Sequence, residues 1–444
     1  MGCFWRVQRP LLVALIQGGG VMTRIGVIGA GITGVTAAYA LCERGYDVTV
    51  FDQHRYAAME TSFANGGQLS ASNAEVWNKM STIWQGIHWM MRRDAPLLMH
   101  PMPGWHKYSW MTEFCSSIRN HRRNTLETVR LAIESRRHMF AMAERENIDF
   151  DLKRCGILHF YRDKAGFEKA AKVNPILIEG GLDRRPVTPE EIRQIEPTLK
   201  GSYYGGFFTP SDSTGDIHKF TRGLADACAR RGVRFFYDAQ VEKIVPKDGG
   251  FEVRWLPVAP DDTKAATDLW RPIQVDGIVI CAGTSSRRFA AMLGDRLNIY
   301  PVKGYSITIH LHTPEAQAAA PTVSILDDAT KIVTSRLGDD RFRVAGTAEF
   351  CGYNLDIRYD RIKPLIDWSR EQFPAMTTDR VVAWCGLRPM MPNMMPRVGP
   401  GRRPGVFYNT GHGHLGWTLS AATAQIAADA VVKAMPAASK RFAA

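Results

Sequence analysis

Three glycines near the start of the chain have the spacing of a phosphate-binding turn. Gly29, Gly31 and Gly34 form the pattern GxGxxG directly after the apolar run 25–28. In such a turn the first glycine permits a tight bend, the second lets the backbone approach a diphosphate, and the third lets the following helix pack closely on the strand. Free amides and the helix dipole stabilise the negative charge. The pattern predicts a dinucleotide site lined by Gly29, Gly31, Ile32, Thr33 and Gly34.

An acidic residue stands at the end of the next predicted strand, 48–51. Asp52 follows this strand directly, and a carboxylate in this place accepts hydrogen bonds from the ribose hydroxyls of an adenosine half-cofactor. Gln53, beside it, is predicted to contact the same half. FAD and NAD share this half, so other parts of the chain must decide between them.

Two further loops favour a flavin. The loop 60–70 carries short hydroxyls, amides and glycines, and the glycine-rich loop 409–418 precedes an alanine-rich segment predicted to be helical through about 432. A second helix N-terminus that favours anions indicates negative charge in two places, as in FAD: the diphosphate and the N1/O2 edge of the reduced ring. By composition alone, the loop 60–70 is equally compatible with a surface turn. The predicted contacts are Thr61, Ser62, Asn65, Gly67, Gln68 and Leu69 in the first loop, and Gly413, Leu415, Gly416, Trp417 and Thr418 in the second.

A parallel sheet assembled from separated stretches must position these loops. The apolar run 275–283 is predicted to be a later strand of that sheet, and 233–237 and 241–245 are predicted sheet elements after an amphipathic helix at 218–230. Val241, Ala282 and Gly283 are further predicted cofactor contacts.

Segments around residue 330 favour a second, mostly antiparallel sheet; they are 305–310, 332–336 and 342–346. We therefore predict an α/β fold with a discontinuous Rossmann-like FAD-binding domain and a second, mostly antiparallel α+β substrate domain. The predicted boundaries are 1–22 for an N-terminal extension outside the fold, 23–115, 206–298 and 376–435 for the FAD-binding domain, and 116–205 and 299–375 for the substrate domain.

Composition excludes several classes of protein. The 444 residues include 56 Lys and Arg against 44 Asp and Glu, a formal charge of +12 that favours anionic partners. No zinc-finger, RNA-binding or basic-zipper pattern is present, so no nucleic-acid partner is expected. The 8 cysteines are scattered singly, which predicts no metal site and a reducing, cytoplasmic location. The apolar run 11–16 is too short to cross a bilayer or to form a signal-peptide core, and Met22 is an alternative start.

The segment 80–137 is predicted to be helical and combines aromatic residues and methionines with basic residues. They are Trp84, Trp89, Met90, Met91, Trp105, Tyr108, Trp110 and Met111, followed by Arg119, Arg122, Arg123, Arg136 and Arg137. This combination suits peripheral docking on the anionic cytoplasmic face of the inner membrane, where an electron acceptor such as a quinone would be met. The alternative, which we favour, is that the aromatic residues fill the core and the arginines are merely exposed.

Five motifs together resemble the D-amino acid dehydrogenases, within the D-amino acid oxidase and glycine oxidase fold group. The motifs are ETSFANGGQLS at 60–70, STGD at 213–216, VKGYS at 302–306, GLRPMMP at 386–392 and NTGHGHLGWT at 409–418, and the resemblance runs from about 24 to 432. It implies noncovalent FAD, oxidation of D-amino acids to imino acids that hydrolyse to 2-oxo acids and ammonia, and a respiratory electron acceptor. Family members more usually read ANAGQ and then a Pro-Gly stretch, whereas this chain has GGQLSASNAEVWN, which leaves the substrate open.

Arg388, in the GLRP motif, is the candidate for binding the substrate carboxylate. A planar guanidinium grips a carboxylate in two places, and Arg388 resembles the position at which the oxidase group places its carboxylate-binding arginine. Hydride would then pass from the α-carbon to flavin N5, a step that needs orientation and an unprotonated amine rather than a strong protein base. A surface arginine is the alternative.

Five other residues in these motifs or next to them have weaker claims. Tyr305 is predicted either to contact the carboxylate or wall the pocket, or to be a core aromatic with one satisfied hydroxyl. Lys303 and Cys385 are interpreted as structural, and His412 and His414 as polar contacts that position their loop. Other readings of the chain are a D-hydroxyproline or D-proline dehydrogenase, a glycine or sarcosine oxidase, a flavoprotein without turnover, and an NAD-dependent dehydrogenase.

Overall fold

A computed structural model describes residues 22–89, 96–101, 103–258 and 271–437. The predicted extension lies outside these residues except for Met22, as do Met90, Met91 and the side chain of Trp89. The strands are β1 (Arg24–Ile28), β2 (Asp47–Phe51), β3 (Gln68–Leu69), β4 (Leu97–Met99), β5 (Ile157–Tyr161), β6 (Arg185–Val187), β7 (Gly205–Thr209), β8 (Ser213–Thr214), β9 (Arg234–Phe236), β10 (Ala239–Lys247), β11 (Gly250–Pro257), β12 (Arg271–Val275), β13 (Gly277–Ile280), β14 (Tyr300–His310), β15 (Ser324–Asp327), β16 (Ile332–Leu337), β17 (Arg341–Phe350), β18 (Val381–Met390), β19 (Arg397–Pro400) and β20 (Val406–Thr410).

The α-helices lie between these strands along the chain. They are α1 (Ile32–Glu43), α2 (Met80–Trp89), α3 (Trp105–Ser116), α4 (His121–Glu146), α5 (Lys164–Glu179), α6 (Pro189–Ile195), α7 (Ile217–Arg230), α8 (Ser286–Met292), α9 (Pro314–Ala319), α10 (Tyr359–Gln372) and α11 (Gly416–Ala434). Among the helices in the described part of the chain, none combines the length and hydropathy needed to cross a bilayer.

A six-stranded sheet in the order β19-β20-β13-β1-β2-β9 forms the first layer of the fold. Its strands are parallel except for β19, which pairs antiparallel with β20. The strands are apolar because both faces are covered: α1, α7 and α11 pack on one face, and α8 with the three-stranded sheet β10-β11-β12 packs on the other. This arrangement confirms the predicted discontinuous Rossmann-like α/β fold.

The predicted strand at 275–283 is divided in the structure. β12 ends at Val275 within the three-stranded antiparallel sheet, and β13 starts at Gly277 within the parallel sheet. Asp276 lies between them, and its carboxylate accepts hydrogen bonds from the backbone N–H of Arg24 (2.7 Å) and from its guanidinium (2.8 Å). This anchoring to β1 fixes the point at which the chain changes sheet, which an apolar run alone does not reveal.

The second layer is a larger sheet in the order β18-β14-β17-β16-β15-β5-β7-β6, with β4 also paired to β17. It is mostly antiparallel, as expected for the substrate domain. β14 and β18 pair from Tyr300 opposite Met390 to Ile309 opposite Val381. Arg388 therefore lies within a strand of this sheet, although residues 376–435 were assigned to the FAD-binding domain. The division of the chain into domains stays a prediction.

The helical segment after residue 80 contains both buried and exposed aromatic residues. Trp110 is buried beside Tyr300 and Met390, and its indole N–H donates to the Met390 carbonyl oxygen at 2.8 Å. By contrast, Trp84 is 68% exposed and Trp105 is 85% exposed. The core interpretation thus describes Trp110, whereas Trp84 and Trp105 lie on the surface.

Candidate active site

A cavity of about 720 Å³ lies where the parallel strands end and the large sheet begins. Its wall includes residues at the carboxyl ends of β1, β2, β13 and β20, the edge at which parallel sheets usually bind ligands, and residues of β14, β17 and β18. The predicted cofactor contacts line it with the exception of Gly34 and Leu69, and so do Arg388 and Tyr305. The structure therefore brings the sequence-predicted residues together in one cavity.

The glycine turn has the geometry that its pattern predicts. Gly29 has φ +104°, and a Cβ there would lie 2.7 Å from the carbonyl oxygen of Cys281. A Cβ on Gly34 would overlap the carbonyl oxygen of Gly29, so Gly34 acts through helix packing and does not line the cavity. Gly31 precedes α1 without providing a side-chain cap, and Ser62 Oγ accepts the N–H of Ile32 at 3.0 Å. The N-terminus of α1 thus opens on the cavity.

Asp52 braces the turn in addition to lining the cavity. Its carboxylate accepts the backbone N–H groups of Ala30 (2.6 Å) and His54 (2.9 Å). Burial raises the pKa of Asp52, and these two hydrogen bonds oppose the rise. Gln53, also on the cavity wall, donates to Glu60 at 3.3 Å. The predicted contact of Asp52 with ribose hydroxyls stays a prediction.

The loop 60–70 is held against the large sheet and is not a surface turn. Ser306 Oγ on β14 donates to the Ala64 carbonyl at 2.7 Å, and Ser335 Oγ on β16 donates to the Gly66 carbonyl at 2.6 Å. Gln68 Nε2 donates to Ser324 Oγ at 2.8 Å, whereas its Oε1 is buried without a partner among the described residues. Two further hydrogen bonds of the loop run from Thr61 Oγ1 to the Leu387 carbonyl and from the Gly67 N–H to Asn65 Oδ1.

Leu69, which was predicted to contact the cofactor, is buried in the core beside α1 and α11 and does not line the cavity. Its alternating partner on the short strand β3, Gln68, does line it. Successive side chains of a strand point to opposite faces, so only one of the two can reach the cavity wall.

The second glycine loop also delivers a helix N-terminus to the cavity. Gly411 has φ +77° and Gly413 has φ +60°, and α11 begins without a side-chain cap. Thr418 Oγ1 donates to the Gln68 carbonyl at 3.4 Å, which ties the two loops together. Two uncapped helix N-termini and a carboxylate on one elongated wall are the groups that the charges and ribose of FAD require, so the residues present fit this cofactor.

Arg388 faces the cavity from β18 and is positioned by two neighbouring strands. A Cβ on Gly304 of β14 would overlap the guanidinium, and Arg388 Nη1 donates to the Thr347 carbonyl at 2.9 Å. Thr347 has φ +62° and, with Ala348, lies opposite the single residue Gly304, which forms a β-bulge. Burial lowers the pKa of Arg388 to about 10, with no opposing acidic group among the described residues. A charge buried in this way suits an anionic ligand.

Tyr305 is only 1% exposed, and its hydroxyl donates to Glu349 Oε2 at 2.8 Å. Burial and this hydrogen bond raise its pKa above the ordinary value. The geometry favours the alternative in which Tyr305 is a core aromatic with a satisfied hydroxyl, and the residue also lines the cavity. Lys303 Nζ donates to Asn354 Oδ1 at 2.9 Å, and Cys385 Sγ donates to the Leu355 carbonyl at 3.0 Å, so both have structural partners, as interpreted from the sequence.

Sequence reasoning missed the residues that hold the cavity wall. Asp212 accepts the N–H groups of Ala71 (2.9 Å) and Ser72 (3.0 Å) and pairs with Arg136 at 2.9 Å. Arg136 was taken for a surface arginine. Gly304 and Thr347 were missed as well, because nothing local in the sequence indicates which strands are neighbours. In the ranges that the structure describes, no cluster of three or more His, Cys, Asp or Glu could hold a metal ion.

Known proteins resemble the chain over most of its length. The sequence profile of the family described as FAD dependent oxidoreductase matches residues 24–430. A protein of Mesorhizobium japonicum named D-amino acid dehydrogenase 3 is 64% identical over 415 residues, which cover 94% of this chain and 98% of that protein. A D-amino acid dehydrogenase of Paramagnetospirillum magneticum is 39% identical over 92% of this chain and 94% of its own length.

The fold is also found in solved structures. Glycine oxidase from Geobacillus kaustophilus superposes with a TM-score of 0.71 and 18% identity, covering 93% of this chain and 95% of that one. At this identity the likeness shows the fold alone. The sequence matches confirm the resemblance seen in the motifs and the prediction of FAD as cofactor.

Proposed function

The chain belongs to the family of FAD dependent oxidoreductases, and we propose that it oxidises D-amino acids at the α-carbon. The imino acid product hydrolyses in water to a 2-oxo acid and ammonia. The observation that carries this proposal is the half-buried guanidinium of Arg388, which lines the cavity without an acidic partner among the described residues and shares it with two helix N-termini. The two bacterial relatives, both named D-amino acid dehydrogenases, support the same substrate class.

The residues of both glycine loops would hold the cofactor. The turn at 29–34 would bind the diphosphate, Asp52 the adenosine ribose, and the start of α11 the ring edge that becomes negative on reduction. FAD supplies the acceptor for the hydride that leaves the substrate α-carbon. The contribution of the chain is to bind, orient and exclude water.

Arg388 would grip the substrate carboxylate with two parallel N–H donors. Gly304 and the Thr347 carbonyl hold the guanidinium in place before the substrate arrives, which lowers the ordering cost of binding. Clamping the carboxylate leaves rotation about one axis, and the pocket wall then decides which face of the α-carbon presents its hydrogen. We nominate no general base.

We further infer that electrons leave to a quinone or another respiratory acceptor at the cytoplasmic face of the inner membrane, on which the protein docks peripherally. Trp84 and Trp105 are exposed on α2 and α3, and Arg119 and Arg122 follow them on the surface. Exposed tryptophan beside arginine suits an anionic lipid surface. Flotation with vesicles that contain anionic lipid tests this: wild type should float, and a Trp84→Ser, Trp105→Ser double variant should not.

Anaerobic mixing of the purified yellow protein with D-alanine, D-proline, sarcosine and L-alanine tests the reaction. Bleaching of the flavin by D-alanine, and not by L-alanine, is expected. Bleaching only by secondary amines would replace the proposal by a D-proline or sarcosine enzyme. A protein that binds no FAD would remove it altogether.

A further inference from the structure

His414, in the second glycine loop, lines the cavity wall, and the Asn73 carbonyl is the one group among the described residues that is placed to bond its ring. Its ring stacks on Trp77, with 4.5 Å between the ring centroids and 23° between the planes. Nδ1 and Nε2 are both buried, and since the Asn73 carbonyl can serve only one of them, at least one nitrogen has no partner among the described residues. His412, in the same loop, differs because its Nε2 meets Thr423 Oγ1 at 2.9 Å. Buried polar atoms are rarely left unpaired, so His414 has the capacity to bind a ligand.

The imidazole of His414 is uncharged and lies within electrostatic reach of Arg388. Burial and, less strongly, the charge of Arg388 lower the pKa of His414 to about 4, against the opposing effect of the nearby Asn73 carbonyl. A neutral imidazole has one nitrogen that accepts a hydrogen bond. His414 therefore presents an acceptor to the space in which Arg388 presents donors.

The carboxylates on the described cavity wall are already engaged. They are Asp52, bonded to the N–H groups of Ala30 and His54; Glu60, bonded to His54; Glu75, paired with Lys79 and His121; and Asp328, paired with Lys331. None of these carboxylates is left over to pair with a substrate ammonium group. A neutral acceptor near Arg388 instead suits an uncharged amine, because the arginine repels a second cation.

We propose that His414 accepts a hydrogen bond from the amino group of the substrate while Arg388 binds its carboxylate, so that the site selects the unprotonated amine. This inference rests on the proposed function. The ammonium proton is lost to solvent before binding, and no proton is left on the ring. Trp77 stacks on the imidazole and orients its plane. A ligand with both a carboxylate and an amine therefore engages two anchors, whereas a ligand with one of these groups engages only one.

Two ligands distinguish the role of Arg388 from the role of His414. The FAD-loaded protein is titrated with propionate, which has a carboxylate and no amine, and with D-alanine, and the visible flavin spectrum reports binding. For His414→Leu we expect the dissociation constant of propionate to stay within about twofold, whereas KM for D-alanine rises roughly tenfold to a hundredfold, as for loss of one buried hydrogen bond. His414→Gln, which keeps an acceptor, should recover part of the loss. His312→Leu, at an exposed histidine, is the matched control.

A thermal melt and the FAD content distinguish binding from a structural role. His414→Leu removes only the contact with the Asn73 carbonyl and the ring stacking on Trp77, so we expect a small change in Tm and full FAD content. An equal loss for propionate and D-alanine, an unchanged KM for D-alanine, or a colourless variant would overturn the inference. Failure of the wild-type protein to oxidise D-alanine would instead overturn the proposed function. The assay of the wild-type protein alone therefore distinguishes the two failures.

Discussion

The guanidinium of Arg388 occupies the space that a side chain at Gly304 would fill. β14 and β18 pair so that Gly304 lies opposite Gly386 and Val302 lies opposite Arg388, and the arginine therefore reaches diagonally across the pair. Its position depends on a residue that has no polar side chain with which to contact a substrate. The carboxylate clamp that we propose is thus a property of two paired strands rather than of one arginine.

Gly304→Ala should displace Arg388 without removing it. A Cβ would overlap the guanidinium, and a misplaced clamp typically costs roughly tenfold to a hundredfold in activity. We expect kcat/KM for D-alanine to fall by this factor with FAD content unchanged. Gly104→Ala is the matched control, because a Cβ there meets nothing within 4 Å. Equal kinetics in the two variants would show that Arg388 can shift its position without loss of activity.

Arg388→Ala should strongly weaken carboxylate binding. Loss of a buried charge partner costs on the order of 2 to 5 kcal/mol, so D-alanine and propionate should both bind far more weakly. Arg388→Lys keeps a charge but loses the planar fork and should recover little. Steady-state kinetics and propionate titration measure this, with Arg403→Ala at an exposed arginine as control. Unchanged kinetics would remove Arg388 from the site.

Gly34→Ala should release the cofactor. The new Cβ would overlap the carbonyl oxygen of Gly29, and the strain of such overpacking, about 1–3 kcal/mol, would be relieved by moving α1 away from β1. We expect roughly tenfold or greater weakening of FAD binding, seen as loss of visible absorbance on gel filtration. If the variant stays fully yellow, the turn at Gly29 does not bind the diphosphate.

Asp216 should stabilise the folded protein above about pH 4. It caps α7 by accepting the N–H groups of His218 and Lys219, and Arg341 bonds its carboxylate at 2.8 Å. Burial alone would raise the pKa of Asp216, but the charges of Arg343 and Arg341 outweigh it and lower the pKa. A lowered pKa means that the stabilisation is complete above the unfolded pKa of about 3.9 and is lost as the pH falls through the folded pKa.

Asp216→Asn keeps the cap and removes the charge, so we expect a loss of about 2 to 3 kcal/mol in the free energy of unfolding at pH 7. Asp216→Ala removes the cap as well and should cost about 1 kcal/mol more. Urea unfolding at several pH values measures both. The gap between wild type and Asp216→Asn should narrow below pH 4, and a gap independent of pH would show that the ion pair contributes nothing.

The local part of the site could be predicted from the sequence, because its signals are short in range. Gly29, Gly34 and Asp52 act through a turn, a helix start and a strand end that follow one another along the chain. The long-range part of the site could not be predicted from the sequence. That Gly304 accommodates Arg388 depends on the register of β14 and β18, which neither strand contains alone.

Tyr305 is a second residue whose partner could not be predicted from the sequence. Its motif suggested a substrate contact, yet its hydroxyl bonds to Glu349 of β17. That neighbour depends on the β-bulge at Thr347, which shifts the pairing of β14 with β17. An extra residue in one strand changes which side chains meet, and the sequence of Tyr305 and its neighbours carries no trace of it.

The two helix N-termini that open on the cavity belong to α1 and α11, the earliest and the latest helices that the structure describes. A cofactor that contacts both helices would link the segment that is synthesised first to the segment that is synthesised last. Translation must therefore reach α11 before the cofactor can be held at both ends. Afterwards, each bound molecule of FAD stabilises the native state by mass action, so heat and proteases should attack the colourless protein first.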